Sequence, residues 1–173
     1  MEDLLVRPAA ASDAKEILDI YAYYVENTPV TFEEVTPTIL EFTGRTDKII
    51  SAYPYFVCIR NDKVIGYAYA HKYRERSAYR YDVEVSVYLR NGCNGQGAGT
   101  ALYHKLFEAL AQQDYYNAYA VITLPNDNSI ALHEKFGFTK IGVHRKTGYK
   151  LGEWHDVLWM EKVLKDHSEI DAG

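Results

Sequence analysis

The chain has 173 residues, a length that suits one domain with its own core and needs no disulfide or metal to complete it. Its 19 Lys and Arg against 24 Asp and Glu leave a net charge of −5, which argues against a general nucleic-acid binder, whose affinity rests on phosphate neutralisation. No stretch approaches about 18 consecutive apolar residues, so no membrane span is expected, and the acidic start MEDLLVRPAA lacks the basic-then-apolar order of a signal peptide.

Two cysteines, Cys58 and Cys93, have no C-x-x-C spacing and fit a reducing, cytoplasmic setting. Tyrosine dominates the aromatics, with 16 Tyr beside 6 Phe and 2 Trp. Buried tyrosine hydroxyls need partners, so many are expected to line a pocket or an interface.

Apolar periodicity divides the chain into alternating strands and helices without repeats or long linkers, which predicts one α/β domain over residues 1–165 and a mobile tail over 166–173. A strand over 4–7 ends at Pro8. Ser12 or Asp13 then caps a helix with Ile17, Leu18, Tyr21, Tyr24 and Val25 on one stripe. Thr36 and Pro37 open a second helix that runs towards Ile50. Strands over 55–60 and 63–73 are joined by Asn61 and Asp62, which tolerate the positive φ of a tight antiparallel hairpin. The strand over 81–89 alternates, with Val83, Val85, Val87 and Leu89 on a core face and Asp82, Glu84, Ser86 and Tyr88 looking outward.

The loop RNGCNGQGAGT follows, then a helix striped with Leu102, Leu106, Ala109 and Leu110. A strand over 118–124 is ended by Pro125. A short helix over 128–136 stops at Gly137, and strands over 139–146 and 154–161 complete the sheet.

Gly92, Gly95, Gly97 and Gly99 lie between a strand and a helix, where bare amides and the positive end of a helix dipole favour an anion such as phosphate. A Walker loop needs a lysine that is absent after Gly97, and the dinucleotide pattern G-x-G-x-x-G fails at Thr100. By themselves the glycines fit a flexible turn feeding a helix equally well.

The loop follows EVSVYL and precedes NDNSIALHEKFGF by about 30 residues, a combination that resembles the GNAT superfamily of acetyl-CoA-dependent N-acetyltransferases. There a (Q/R)xxGx(G/A) loop starts a helix and holds a pyrophosphate. Asn94, Gly97 and Gly99 stand at the patterned positions. Asn94 replaces the usual Gln or Arg and Gly95 a common basic residue, so the phosphate grip here leans on backbone amides. VRPAAASDAKEILDIYAYYVENTPVTFEE, RSAY, EVSVYL, LPNDNSIALHEKFGF and GYKLGEWHDV occur in the order seen in phosphinothricin-type acetyltransferases. The resemblance implies an α/β (α+β) GNAT fold, with a mixed, mostly antiparallel central sheet flanked by helices.

It also implies roles. Glu84 is the expected base that takes the ammonium proton through water; the strand pattern by itself reads as a solvated carboxylate. His133 has a supporting role as proton relay or substrate contact, against a surface histidine with a local hydrogen bond. The cofactor-binding set is Val87, Leu89, Asn94, Gly95, Gln96, Gly97, Ala98, Gly99, Thr100, Asn126 and Ser129. Asn128 and Ser129 read equally as helix caps, which is the better single explanation for Ser129. Arg74, Arg76 and Tyr79 match positions that bind an amino-acid-like substrate, and a bidentate arginine suits its carboxylate. Phe32, Ser86, Tyr88, Thr123 and Val157 complete that pocket, with Thr123 standing where glycine is common.

No metal site is expected, because HEKFG lacks the second histidine of HExxH. Trp154 is expected to pack and Asp156 to orient His155. The same region lies near a dimer contact in the resembling family, which implies a homodimer. The expected reaction is acetyl transfer from acetyl-CoA to the α-amine of a small amino acid or analogue, by direct attack and without an acyl-enzyme. A protein N-terminus or another amine is the alternative acceptor, and a non-catalytic acetyl-CoA sensor is the alternative of another class.

Overall fold

The computed structural model describes residues 4–169. In chain order it contains β1 (Leu5–Pro8), α1 (Ala14–Asn27), α2 (Ile39–Ile50), β2 (Tyr55–Arg60), β3 (Lys63–Lys72), β4 (Asp82–Leu89), α3 (Ala98–Ala111), β5 (Asn117–Thr123), α4 (Asp127–Lys135), β6 (Thr139–Lys150) and β7 (Glu153–Val163). The strands form one seven-stranded sheet in the order β1-β2-β3-β4-β5-β7-β6. Every neighbouring pair is antiparallel except β4 and β5, as the mixed-sheet expectation requires.

Helices α3 and α4 cover one face of the sheet. Leu102, Tyr103, Leu106 and Leu110 of α3 are buried there against Cys58, Ala68, Ala70, Val83 and Val85. Helices α1 and α2 cover the opposite face, where Ile17, Ile20 and Phe42 meet Val57, Val64 and Tyr67. The second face therefore does not simply look outward. Tyr88 packs into this cluster, 5.3 Å from the Tyr67 ring and 5.2 Å from that of Tyr24. Tyr55 and Tyr69 stack at 4.9 Å beside them. Most of these tyrosines build a core layer, each pair adding about 0.5–1.5 kcal/mol beyond area burial, and of this group only Tyr24 and Tyr88 also line the site described below.

Local chemistry explains the element ends. Asn61 and Asp62 adopt φ of 49° and 58° in the β2–β3 turn. Thr38, not Thr36, caps α2: its Oγ1 accepts from the Glu41 amide at 3.3 Å, and the Glu41 carboxylate accepts from the Thr38 amide at 2.9 Å. Asp13 does not cap α1. It accepts from the Ala10 amide at 2.8 Å and bidentately from Arg7 at 2.7 and 2.8 Å, pinning β1 to the 3₁₀ turn that leads into the helix. The last two strands extend to meet at Leu151 and Gly152, whose φ of 54° and 83° close the β6–β7 hairpin.

Trp154 packs only edge-on against Tyr149, at 5.3 Å, and is otherwise 59% exposed. Asp156 does not orient His155, because neighbouring strand residues point to opposite faces. Its carboxylate accepts from the Lys146 amide at 2.8 Å, whereas His155 Nε2 meets the Lys150 carbonyl at 2.9 Å. The start of the expected tail forms a 3₁₀ turn, His167–Glu169, tied back by His167 to Asn117 at 2.9 Å; residues 170–173 of that expectation lie outside the described residues. Both cysteines are free thiols. No helix among the described residues is long and apolar enough to cross a membrane.

Candidate active site

The parallel pairing of β4 with β5 stops early. It covers Asp82, Val83 and Glu84 against Asn117, Ala118 and Tyr119, yet β4 continues to Leu89 and β5 to Thr123. Beyond Glu84 the two strands diverge, and a cavity of about 510 Å³ opens in the fork, lined by residues 85–89 on one side and 120–123 on the other. Asn94, Gly95, Gly97, Gly99 and Thr100 close its α3 end, and Asn126, Asn128, Ser129, Leu132, His133 and Lys135 of the α4 region form a further wall.

Gly92, Gly95 and Gly97 take φ of 84°, 73° and 85°, values that strain any residue with a Cβ. The chain thereby turns sharply into α3, whose first amides, beginning at Ala98, have no partner within the helix. At Gly99 the need is steric, since a Cβ would lie 3.2 Å from Leu132 of α4. Ala98 buries its methyl in the core, so only its amide faces this function. The Gln96 side chain turns away from the cavity: it donates to the Gly92 carbonyl at 3.0 Å and accepts from Arg60, bracing the loop.

Along β4, Val87 and Leu89 line the fork, Leu89 beside Gly99, and the Leu89 carbonyl already accepts from the Tyr24 hydroxyl at 2.6 Å. Asn126 is the N-cap of α4, accepting from the Ser129 amide at 3.2 Å, which reverses the expected assignment of the cap to Ser129.

His133 is buried, 3% exposed, and both ring nitrogens are engaged. Nδ1 lies 2.7 Å from the Ser129 carbonyl and so carries the proton; Nε2 then accepts from the Tyr103 hydroxyl at 2.8 Å. Burial lowers the histidine pKa, and the bond to Ser129 opposes that only in part. The ring is a neutral link between α3 and α4, not a surface histidine.

Glu84 occupies the vertex of the fork. Its side chain is on the face shared with Ser86 and Tyr88, one quarter exposed, and its Oε1 lies 3.7 Å from Nε2 of His71 across the β3–β4 ladder. Ser86, Tyr88 and Thr123 line the cavity directly. The remaining expected acceptor residues flank it. On one side Tyr119, the partner of Glu84, stacks on Tyr73 at 4.2 Å, and the Arg74 guanidinium lies 5.0 and 5.5 Å from the Tyr73 and Tyr79 rings. Arg76 is exposed at the start of the same 3₁₀ turn, Ser77–Tyr79. On the other side Val157 pairs with Thr123, and Phe32 lies against Gly148 and His155 next along the hairpin.

Lys135 and His71 were not singled out by sequence reasoning. Among the described residues Lys135 is the only Lys, Arg, Asp or Glu lining the cavity, with its Nζ 3.3 Å from Thr100 Oγ1 at the first turn of α3. Two residues after His133 on α4, it falls on a different helix face, and the proximity of α4 to the loop was not in the sequence pattern. No group of three or more His, Cys, Asp or Glu able to hold a metal occurs among the described residues.

A glycine turn offering bare amides at a helix start, a fork between parallel strands and a carboxylate at its vertex thus surround one cavity. Residues 6–159 match the acetyltransferase (GNAT) domain family, and the chain belongs to that family. It is 38% identical to the phosphinothricin N-acetyltransferase of Streptomyces coelicolor, over 94% of this chain and 97% of the relative. It is 30% identical to the L-methionine sulfoximine/L-methionine sulfone acetyltransferase of Salmonella typhimurium, over 98% and 99% of the two chains. The crystal structure of a GNAT superfamily phosphinothricin acetyltransferase from Sinorhizobium meliloti in complex with acetyl-CoA superposes with a TM-score of 0.89 at 38% identity, covering 92% of this chain and 88% of that one.

Proposed function

We propose that the protein transfers the acetyl group of acetyl-CoA to the α-amine of a small amino acid or a close analogue, of the phosphinothricin or methionine sulfoximine kind. The fork between β4 and β5, with Glu84 at its vertex, is the observation that carries this reading. The relatives named for phosphinothricin and methionine sulfoximine support the acceptor class.

The residues present fit acetyl-CoA. The amides at the start of α3, with Asn94, Gly95, Gly97, Gly99 and Thr100, receive the diphosphate, and Lys135 supplies a cation, since Arg90 of the loop is turned to the Val64 carbonyl and Glu16. Val87 and Leu89 offer backbone groups to the pantetheine arm, Leu89 through its amide only, and Asn126 and Ser129 border the same path. Acetyl-CoA contributes an activated thioester. Gln96 and Ala98 take part by shaping the loop.

The acceptor arrives as an ammonium and must lose a proton before its nitrogen can attack. Glu84 accepts that proton, through water, since its carboxylate stands at the vertex and not within the cavity lining. A β4 amide donates to the carbonyl oxygen as charge develops there. The amine displaces the thiol directly, and no cysteine is placed as a nucleophile: Cys58 is buried in the core, and Cys93 packs against that core outside the cavity lining. Arg74, Arg76 and Tyr79 on one flank and Phe32 and Val157 on the other hold the acceptor, with Ser86, Tyr88 and Thr123 between them. His133 supports the reaction by fixing α4 against α3, and so Ser129 and Lys135 beside the cofactor path.

The enzyme acts as one cytoplasmic domain and as a homodimer without a metal. The dimer reading is supported by the exposed apolar residues Ile141, Val143, Tyr149, Leu151 and Trp154 on the β6–β7 hairpin, whose outer strand is a sheet edge. Sedimentation analysis tests it.

Thiol release from acetyl-CoA, measured against free amino acids, their analogues and short peptides, tests the activity. Turnover on free α-amino acids is expected. Activity on peptides alone would move the acceptor to protein N-termini, and binding without turnover on any amine would leave a sensor.

A further inference from the structure

Lys150 is a buried lysine that the acetyl-transfer reading does not use. It ends β6 at the tip of the hairpin and is 3% exposed. Among the described residues no carboxylate forms an ion pair with it. Its Nζ donates instead to two backbone carbonyls, Thr31 at 2.8 Å and Tyr24 at 3.4 Å. Burying an amine costs several kcal/mol unless its donors are satisfied, so these two bonds fix where the carbonyls can sit.

The two carbonyls bracket Val30. Tyr24 belongs to the last turns of α1, and its carbonyl also accepts from the amide and hydroxyl of Thr28 at 3.3 and 2.9 Å. Thr31 begins the irregular stretch that leads to α2, with its hydroxyl 2.9 Å from the Tyr21 hydroxyl. Val30 and Tyr24 both line the cavity. Phe32, one residue beyond Thr31, lies directly on Gly148 of the same hairpin, where any Cβ would overlap the ring. The hairpin that supplies the ammonium thus also supplies the seat for Phe32. Desolvation pushes the Lys150 pKa down from the ordinary lysine value, opposed by Glu34 and Glu33.

The geometry points to Lys150 as a positioning residue for the acceptor side of the site: by holding the Tyr24 and Thr31 carbonyls it sets Val30 against the cavity and Phe32 on Gly148. It touches no reacting group. Its influence falls chiefly on the amine substrate, through Phe32 on the acceptor flank; the Tyr24 side chain, which meets Leu89 beside the acetyl-CoA loop, is held there by its own hydroxyl bond. This rests on the acetyl-transfer reading.

Lys150→Met removes the donors and keeps an unbranched side chain one atom shorter. The expected result is a rise of about tenfold in KM for the amine with KM for acetyl-CoA changed less than twofold, and faster amide hydrogen exchange confined to residues 28–34. Lys150→Gln, which keeps a shorter neutral donor, is expected to lie between the native protein and the methionine variant, and serves alone where the latter does not fold. Gly148→Ala, which leaves Lys150 intact but displaces Phe32, is expected to raise the same KM. An unchanged amine KM in the Lys150 variants, or equal rises in both KM values, would overturn the assignment. Hydrogen exchange unchanged over 28–34 would do so even if the native protein acetylated no amine, an outcome that would count separately against the acetyl-transfer reading.

Discussion

Glu84 and Tyr119 form the last rung of the parallel ladder between β4 and β5, and the strands separate immediately beyond them. A carboxylate at that point stands where the fork opens, on the face that carries Ser86 and Tyr88. If it collects the ammonium proton, Glu84→Gln lowers kcat/KM at neutral pH by roughly 10²- to 10⁴-fold. The deficit shrinks as pH rises towards the pKa of the substrate ammonium, because solution then supplies neutral amine. Steady-state rates of both proteins across pH read this out.

Among the described residues Lys135 is the only formal charge lining the cavity. Its Nζ is exposed, so its contribution is modest: loss of about 1 kcal/mol, or roughly a fivefold rise in KM for acetyl-CoA, is expected for Lys135→Gln, with kcat unchanged. Added salt narrows the difference. A truncated donor lacking the nucleotide phosphates, such as S-acetylpantetheine, is expected to be used equally by native and variant proteins.

Burial holds the His133 pKa below the ordinary histidine value of 6.5. The unfolded chain therefore takes up a proton near this residue at a pH where the folded protein does not. Stability is full above about pH 6.5 and falls as pH drops below it towards the lowered folded value. Thermal melts of His133→Gln are expected to be flatter over this range, although the variant is less stable at pH 8. Tyr103→Phe, which leaves Nε2 as an unsatisfied buried acceptor, is expected to cost about 1–3 kcal/mol.

Gly66 lies opposite Leu89 on β3, where an added Cβ would be 3.0 Å from the Tyr88 carbonyl and in contact with the Leu89 side chain. Gly66→Ala is expected to destabilise the fold by about 1–3 kcal/mol through overpacking. Since Leu89 lines the fork, a higher KM for acetyl-CoA accompanies the lower Tm.

The strands and the glycine turn were legible because their signals are local. Alternation at Val83, Val85 and their neighbours fixes a face, and Asn61-Asp62 and Gly97 fix turns whatever surrounds them. Long-range partners were not legible. Nothing in the alternation of β4 reveals that α1 and α2 cover Tyr88, or that Leu89 gives its carbonyl to Tyr24, 65 residues away. Gln96 sits within the loop pattern yet turns to Arg60, and Lys150 reaches carbonyls more than 100 residues distant. Pattern matching finds a residue's position; only packing decides where its side chain goes.

A crystal structure with acetyl-CoA measures the central claim most directly. The account predicts the diphosphate on the amides at the start of α3, the pantetheine arm between β4 and β5, and the acetyl carbon within water-bridged reach of Glu84. Acetyl-CoA bound outside the fork, or in it with the acetyl group at the end remote from Glu84, would contradict the account.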